Sequence, residues 1–485
     1  MTSLVWFQRD LRLSDHAPLM HALKRNQKMV FAYLHDPAQT IGEANNAWLA
    51  QSLIELQKTL RLKGGELLML EGDFSENFDQ LLRHYQIDEV LYHYEVGEPF
   101  LSQQNLVLQI CQQYQIRLQP FDQAWYPAEQ VLTQKGQNYS VFTPFYKKLL
   151  TLLNQVAYPL EAPKDLKPSN PEKSPLTTWL DLPSSLHKIR QTPWAKRMIS
   201  HWQVGENQAW SRVKSFCDGS LNNYPTQRDY PAEPATSKLS VHLQFGELST
   251  RELLHHLQHL KRLPDYDTHA IDSLIRQLAW REFGRYLLHF NPLLERESFQ
   301  SKFVNFPWDD DEDNLLDWQQ GQTGVPIIDA GMRELWQTGW MHNRVRMLVA
   351  SWLTKNANLS WREGQAWFAN TLIDADPANN AMGWQWVAGC GVDAAPYYRL
   401  FNPVVQSERF DPQAEYIKHW LPELKLIPAK WVHAPWQHQN KILSLGFDLI
   451  KIYPIPKIDL ARSRHDHLDR VQAQKTYTQA LQLQN

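Results

Sequence analysis

Cysteine is scarce in this chain, with only Cys111, Cys217 and Cys390 among 485 residues. The count is odd and the spacing wide. No disulfide framework and no Cys-x-x-Cys metal site can be read, so no metal is expected and a reducing cytoplasm is the expected setting. A long hydrophobic run is also missing. The N-terminus MTSLVWFQRDLRLSD lacks the basic-then-apolar pattern of a secretory signal, and no stretch is long enough to span a bilayer, so no membrane contact is expected. Positive charge is not in excess either, because the formal net charge is −3. That excludes a globally basic nucleic-acid coat and leaves room for a local basic groove. Internal repeats are absent.

Tryptophan, by contrast, is abundant, at 20 residues. Most of that surplus is expected to be packing, since an indole carries a large apolar area. It still raises the question of a flat aromatic ligand. The length predicts two or three domains.

Residues 1–130 read as an α/β unit. Apolar runs at 3–7, 29–34, 66–71, 89–94 and 116–121 alternate with helical patterns such as 46–62 and 77–85. That alternation predicts a Rossmann-like, doubly wound parallel sheet. No GxGxxG follows the first strand, so the dinucleotide fingerprint is lacking and the fold alone assigns no function. The arginines of QRDLR could bind an anion; a solvated loop at the strand end is the commoner arrangement. Residues 131–200 read as an interdomain linker, since prolines crowd positions 159–193. From 201 to about 475 the strand pattern stops and long helical segments follow, among them 250–263, 270–290 and 329–355.

Several clusters in the helical half could carry chemistry. Thr236, Ser237 and Ser240 form a hydroxyl-rich turn ahead of an apolar segment. Such a turn caps a helix or, less commonly, cradles a phosphate. Gln277 and Trp280 share one helix face, as do Asn343 and Met347. An amide beside an indole suits a planar base, although a satisfied interior Gln is the commoner case. The stretch DADPANNAMGWQW places Asp374 and Asp376 in an apolar setting, where carboxylates must be paired or hydrogen-bonded to stay charged. Arg346 is a suitable partner for one of them, and Asn380 lies four residues after Asp376. Together they would offer a flavin ring both donors and acceptors. A buried ion-pair network with core tryptophans is at least as common an outcome of such a pattern.

The assembly GQTGVPIIDAGMRELWQTGWMHNRVRM, LSWREGQAWF and LIDADPANNAMGWQWVAGCGVDAAPYYRLFNP closely resembles the photolyase/cryptochrome flavoproteins. It looks most like class I enzymes that repair cyclobutane pyrimidine dimers. The resemblance runs from VWFQRDLRLSD to WLPEL and YPIP, nearly the whole chain. It implies an antenna-type α/β domain at 1–130 and a helical FAD-binding catalytic domain at 201–475. It also implies blue-light-driven electron transfer from reduced FAD to a dimer flipped out of UV-damaged DNA, in a monomeric enzyme.

Residue by residue, the resemblance implies that Tyr224, Thr236, Ser237, Lys238, Leu239 and Ser240 hold the phosphate and adenosine side of FAD. Arg346, Asp374, Ala375, Asp376 and Asn380 would meet the flavin ring. Trp384, Trp361 and Trp308 match an electron-transfer chain from the flavin to the surface. Gln277, Trp280, Asn343, Met347 and Trp386 match the lesion pocket, and Arg228, Arg344, Arg399 and Gln406 match positions beside the DNA backbone. One departure is Gln277, where dimer-repair relatives typically have Glu; Gln there is typical of six-four photolyases and animal cryptochromes. Six-four enzymes, however, have histidines where this chain has Asn343 and Met347. The alternatives are a cryptochrome-like light receptor and a six-four photolyase. A folate (methenyltetrahydrofolate) antenna, a deazaflavin, or no antenna are all compatible with the EANNAW and QPFDQAW segments, where Gln119 stands in place of a common Glu.

Overall fold

The computed structural model describes residues 1–25, 28–166, 179, 181–393 and 400–484. Each of the five apolar runs is a strand: β1 Thr2–Phe7, β2 Lys28–His35, β3 Leu67–Glu71, β4 Glu89–His93 and β5 Arg117–Phe121. All neighbours pair in parallel, in the order β3-β2-β1-β4-β5. The doubly wound sheet expected from the sequence is therefore present. Its strands read as continuous apolar runs because helices cover both faces. Leu4, Val5, Trp6 and Phe7 are all buried. Trp6 packs against Phe74, Phe78 and Tyr92 at centroid distances of 5.5, 6.0 and 5.3 Å. The helix Phe74–Tyr85 begins three residues before the expected 77–85 pattern, where the Asp73 side chain accepts the Glu76 N–H as an N-cap.

By compactness the chain divides into two units. The first comprises Met1–Asn222, Ser237–Pro292 and Ile373–Ala378; the second comprises Asn223–Thr236, Leu293–Leu372 and Asn379–Asn485. Within the first, the proline-rich stretch contains the helices Ser184–Gln191 and Pro193–Ile199, which pack on the helix Glu43–Leu62. Residues 167–178 and 180 of that stretch lie outside the described residues.

The second unit is helical apart from one isolated bridge, Asp309 to Leu359, among its described residues. The segment 329–355 is not one continuous helix. It forms the end of Pro326–Thr338, then Asn343–Ser351, then a π-turn at Trp352–Asn356. Gly339 sits at φ 68, the left-handed conformation that ends a helix. The ring of His342 then accepts the Arg344 N–H at 3.2 Å and caps the next helix. Asn343 consequently stands in a first helical turn.

Candidate functional site

In the first unit, the segment Ile373–Asp376 is held from three directions. Arg9, just beyond β1, donates from Nη1 to Asp376 Oδ2 at 2.9 Å and to Gln244 Oε1 at 2.9 Å. Its Nη2 donates to Glu95 Oε2 at 2.6 Å. Gln244 Nε2 donates to the Ala375 carbonyl at 2.5 Å. Asn45 Nδ2 donates to the Ile373 carbonyl at 3.2 Å. The QRDLR arginines are thus not a solvated loop, as Arg9 is 7 % exposed and Arg12 1 %. A buried guanidinium must be paired, and the sequence around it gives no sign that its partners lie 86 and 367 residues away. Burial opposes the charge of Arg9, but Glu95 and Asp376 more than offset it and raise its pKa. Arg285 Nη1 donates to the same Glu95 oxygen at 3.0 Å. Arg12 donates to the carbonyls of Ser14, Asp15 and Gly246. Gly246, at φ +62, lies so close that a Cβ there would stand 2.0 Å from the Arg9 carbonyl oxygen.

The hydroxyl turn is also in place. The short helix Ser240–Gln244 has Leu239 at its N-cap and no side-chain cap, so the commoner use of such a turn is not the one made here. Ser237 Oγ accepts the Leu239 N–H at 3.4 Å, and Lys238 holds φ 52. Leu239 is buried, while Lys238 and Ser240 face solvent. On the helix Thr268–Phe290, Trp280 stacks on Phe142 at 3.5 Å and 9°. One turn earlier, Gln277 Nε2 donates to the Ser273 carbonyl at 3.4 Å.

The second unit carries the three indoles. Trp384 and Trp361 are buried, at 2 % and 0 %, and Trp308 is partly exposed. Two local features bring them together. The Asp309 to Leu359 bridge, with Asn358 Nδ2 donating to the Pro307 carbonyl at 3.0 Å, lays Trp308 beside the start of the helix Trp361–Thr371. Gly364 on that helix leaves the space that Trp384 fills, since a Cβ at 364 would lie 2.0 Å from the indole. Phe368, one turn further, meets Trp384 edge-on at 4.9 Å. The indole N–H groups of Trp361 and Trp384 have no hydrogen-bond partner among the described residues. Asn380 Nδ2 donates to the Gln365 carbonyl at 3.0 Å. Arg346 Nε donates to the Met341 carbonyl at 2.8 Å, with its guanidinium 5.9 Å from the Trp340 ring centre.

The same unit gathers much of the expected nucleic-acid set. Arg228 lies 5.0 Å over the ring of Tyr224, which is itself buried. Arg344 pairs with Asp229 at 2.9 Å and lies 4.3 Å over Phe410. Phe410 ends the helix Pro403–Phe410, which carries the half-buried Gln406. Asn343 Nδ2 meets Met347 Sδ at 3.8 Å, so the two share one face as expected. Thr236 and Trp386 are half-buried. Arg399 lies outside the described residues.

With this geometry in view, comparison with known proteins is specific. Residues 3–165 match the DNA photolyase family model, and residues 274–473 match the FAD binding domain of DNA photolyase. A deoxyribodipyrimidine photo-lyase of Agrobacterium fabrum is 36 % identical over 98 % of both chains. A bacterial class III photolyase from Agrobacterium tumefaciens aligns with TM-score 0.90 and 35 % identity over 98 % of both chains. A cryptochrome from Synechocystis aligns with TM-score 0.89 and 30 % identity, covering 96 % of this chain and 98 % of that one. The chain belongs to the photolyase/cryptochrome family of FAD-binding proteins. Within that family it is an enzyme of the deoxyribodipyrimidine photo-lyase kind.

The residues present fit FAD. No side chain caps the helix that follows the hydroxyl-rich 237–240 turn, and a turn of that kind at a helix start suits phosphate oxygens. Asp376 Oδ2 is paired with the Arg9 guanidinium at 2.9 Å, and a carboxylate fixed in that way is a suitable acceptor for a ring N–H. Sequence reasoning missed Asn45, Gln244, Arg281 and Gly364. Arg281 Nη2 donates to the Leu243 carbonyl at 3.0 Å, and burial lowers its pKa although Asp376 opposes this. No spacing could have found Asn45 or Gln244, because the partners of each are distant in sequence. Asp10, His16 and His93 were missed likewise. They are fully buried together, with Asp10 Oδ2 2.7 Å from His93 Nδ1 and 3.0 Å from His16 Nε2.

Proposed function

We propose that this protein repairs cyclobutane pyrimidine dimers in UV-damaged DNA under blue light. The observation that carries the reading is the Asn343–Met347 pair on one helix face, at a position where the family resemblance puts histidines in six-four enzymes. Bound FAD supplies light-driven one-electron chemistry. The protein supplies placement. Ser237, Lys238, Leu239 and Ser240 with Tyr224 and Thr236 hold the phosphate and adenosine side, and Asp374, Ala375, Asp376, Arg346 and Asn380 hold the ring. Trp384, Trp361 and Trp308 carry reducing equivalents inward.

A dimer is inaccessible inside a duplex and must be flipped out, at a cost of a few kcal/mol that poor stacking at the lesion lowers. Trp280 and Trp386 offer the flipped bases aromatic faces, Gln277 offers an amide, and Asn343 and Met347 line the wall. Arg228, Arg344, Arg399 and Gln406 contact the backbone and confer no sequence preference. We assign the antenna-type role to residues 1–130 and catalysis to 201–475, in a monomeric cytoplasmic enzyme. No described helix is long and apolar enough to cross a membrane.

The test is light-dependent repair of thymine-dimer and six-four substrates by purified, reduced protein. Dimer repair alone is expected. Binding of FAD with repair of neither lesion would establish the light-receptor reading, which the Synechocystis cryptochrome's similarity favours.

A further inference from the structure

We propose that Arg9, from the α/β sheet, is a positioning residue for the flavin, acting through Asp376. The inference rests on the reading that Asp376 meets the flavin ring. Arg9 spans two carboxylates at 2.6 and 2.9 Å while almost wholly buried. A planar guanidinium held by Glu95 on one side has little freedom to follow Asp376, so it dictates where that carboxylate stands. Glu95 is itself fixed by Arg285 and by Gln123, and its backbone N–H donates to Gln104 Oε1 at 3.0 Å. Gln244, which accepts from Arg9 and donates to the Ala375 carbonyl, closes the clamp on the backbone one residue away. The Arg9 guanidinium also lies 4.8 Å over Phe100, which excludes water from its remaining face.

Three elements of the first unit, the end of β1, the helix Glu43–Leu62 and the helix Ser240–Gln244, therefore converge on a segment that has no regular secondary structure of its own. Left to itself, the Ile373–Asp376 backbone would be the least determined part of a ring-binding site. The N-terminal sheet, beyond any antenna role, serves as the fixed end of the flavin site.

The charge matters as well as the shape. Without Arg9, Asp376 would lose a directly paired cation while staying buried, which favours uptake of a proton and a donor where an acceptor is needed. That change alters the field at the flavin.

The experiment is a double-mutant cycle on FAD affinity, measured by fluorescence titration of deflavinated protein, together with the flavin absorption spectrum. The variants are Arg9→Met, Asp376→Asn, their combination, and Arg9→Lys. Arg9→Met is expected to weaken FAD binding by roughly tenfold or more, as truncating one partner of a buried charged pair does, and to shift the flavin spectrum. The double variant should be no weaker than Asp376→Asn alone, and Arg9→Lys should recover the spectrum in part. A lower melting temperature with unchanged affinity and spectrum would reduce Arg9 to a structural ion pair and overturn the proposal. Fully additive losses would overturn it too. If Asp376→Asn itself leaves FAD affinity unchanged, the reading of the flavin site has failed, a result distinct from a failure at Arg9. Should Arg9→Met not fold, Gln244→Met leaves the Arg9–Glu95 pair intact and tests the same clamp through Ala375.

Discussion

The two units solve the placement of functional groups with opposite physics. Around Asp376 the first unit buries Arg9, Arg285 and Glu95 and joins them by ion pairs, with Arg9 pairing to Asp376 as well. Around Trp384 the second unit uses apolar and aromatic neighbours, Phe368, Trp318 and the bare backbone of Gly364, and leaves two indole N–H groups without acceptors. A buried donor left unpaired costs about 1–3 kcal/mol, so packing the indoles by shape carries a cost in stability. Ion pairs fix direction, which suits atoms that must meet a ring edge. Indoles packed by shape need only proximity, which suits electron transfer. Position is set by charge in one region and by volume in the other.

That contrast can be broken most severely at the indoles. Replacing Trp384, Trp361 or Trp308 by Phe keeps the apolar volume and should abolish photoreduction of oxidised flavin while sparing repair by chemically pre-reduced protein. Bleaching of flavin absorbance under blue light, with and without prior reduction, reads both effects. Unchanged photoreduction in all three variants would show the chain to be wrongly assigned.

Acid provides a comparison of the units through one buried histidine in each. His93 in the first and His342 in the second are both pushed down to about 4, chiefly by burial. The folded state thus refuses a proton that the unfolded chain accepts below an ordinary histidine pKa of about 6.5. Stability should therefore fall as pH drops from about 6.5 towards 4, by up to about 3 kcal/mol per histidine. Urea unfolding across that range should show a shallower fall in His93→Gln and in His342→Asn. A slope equal to that of the parent in both variants would place the acid sensitivity elsewhere.

Packing by volume predicts a definite cost at Gly364. Gly364→Ala places a Cβ where the Trp384 ring now lies and should destabilise the protein by about 1–3 kcal/mol, as overpacking does. Photoreduction should slow with it, because the proximal indole must move. Normal stability with normal photoreduction would mean that the ring relaxes freely.

Smaller effects are expected on the nucleic-acid face. If Arg228 holds one phosphate, Arg228→Ala should lower the log–log salt slope of binding to dimer-containing DNA by about 1, whatever the flanking sequence. A slope and affinity like those of the parent would remove Arg228 from that face. The least change is expected at Gln277, whose amide is neutral and able to donate at any pH. Gln277→Glu should preserve or slightly improve the yield of dimer repair, since a carboxyl raised by burial can also donate. A large loss of yield would show that the amide itself is required.

The strands, the helical pattern over 77–85 and the face shared by Asn343 and Met347 were legible because each depends on residues within a few positions of one another. The break at Gly339 escaped, since a glycine inside an apolar helical period reads as tolerated until its left-handed φ is seen. Arg9 is legible as a possible anion binder but its burial is not, because burial is a property of the assembled neighbours. The site residues carried over by motif were legible only through the resemblance; periodicity gave no roles to Tyr224 or Trp386.

By itself, then, the sequence determined the alternation of strand and helix, the lack of a dinucleotide fingerprint and the family, all through patterns local in the chain. Tertiary structure alone decided that Asp376 is paired with Arg9, that Gly364 makes room for Trp384, and that Asn45 and Gln244 hold the segment between them. The reason is physical. Local periodicity reports which face of an element is apolar, whereas a buried charge or a close aromatic contact depends on partners tens to hundreds of residues away, and those meet only when the chain has folded.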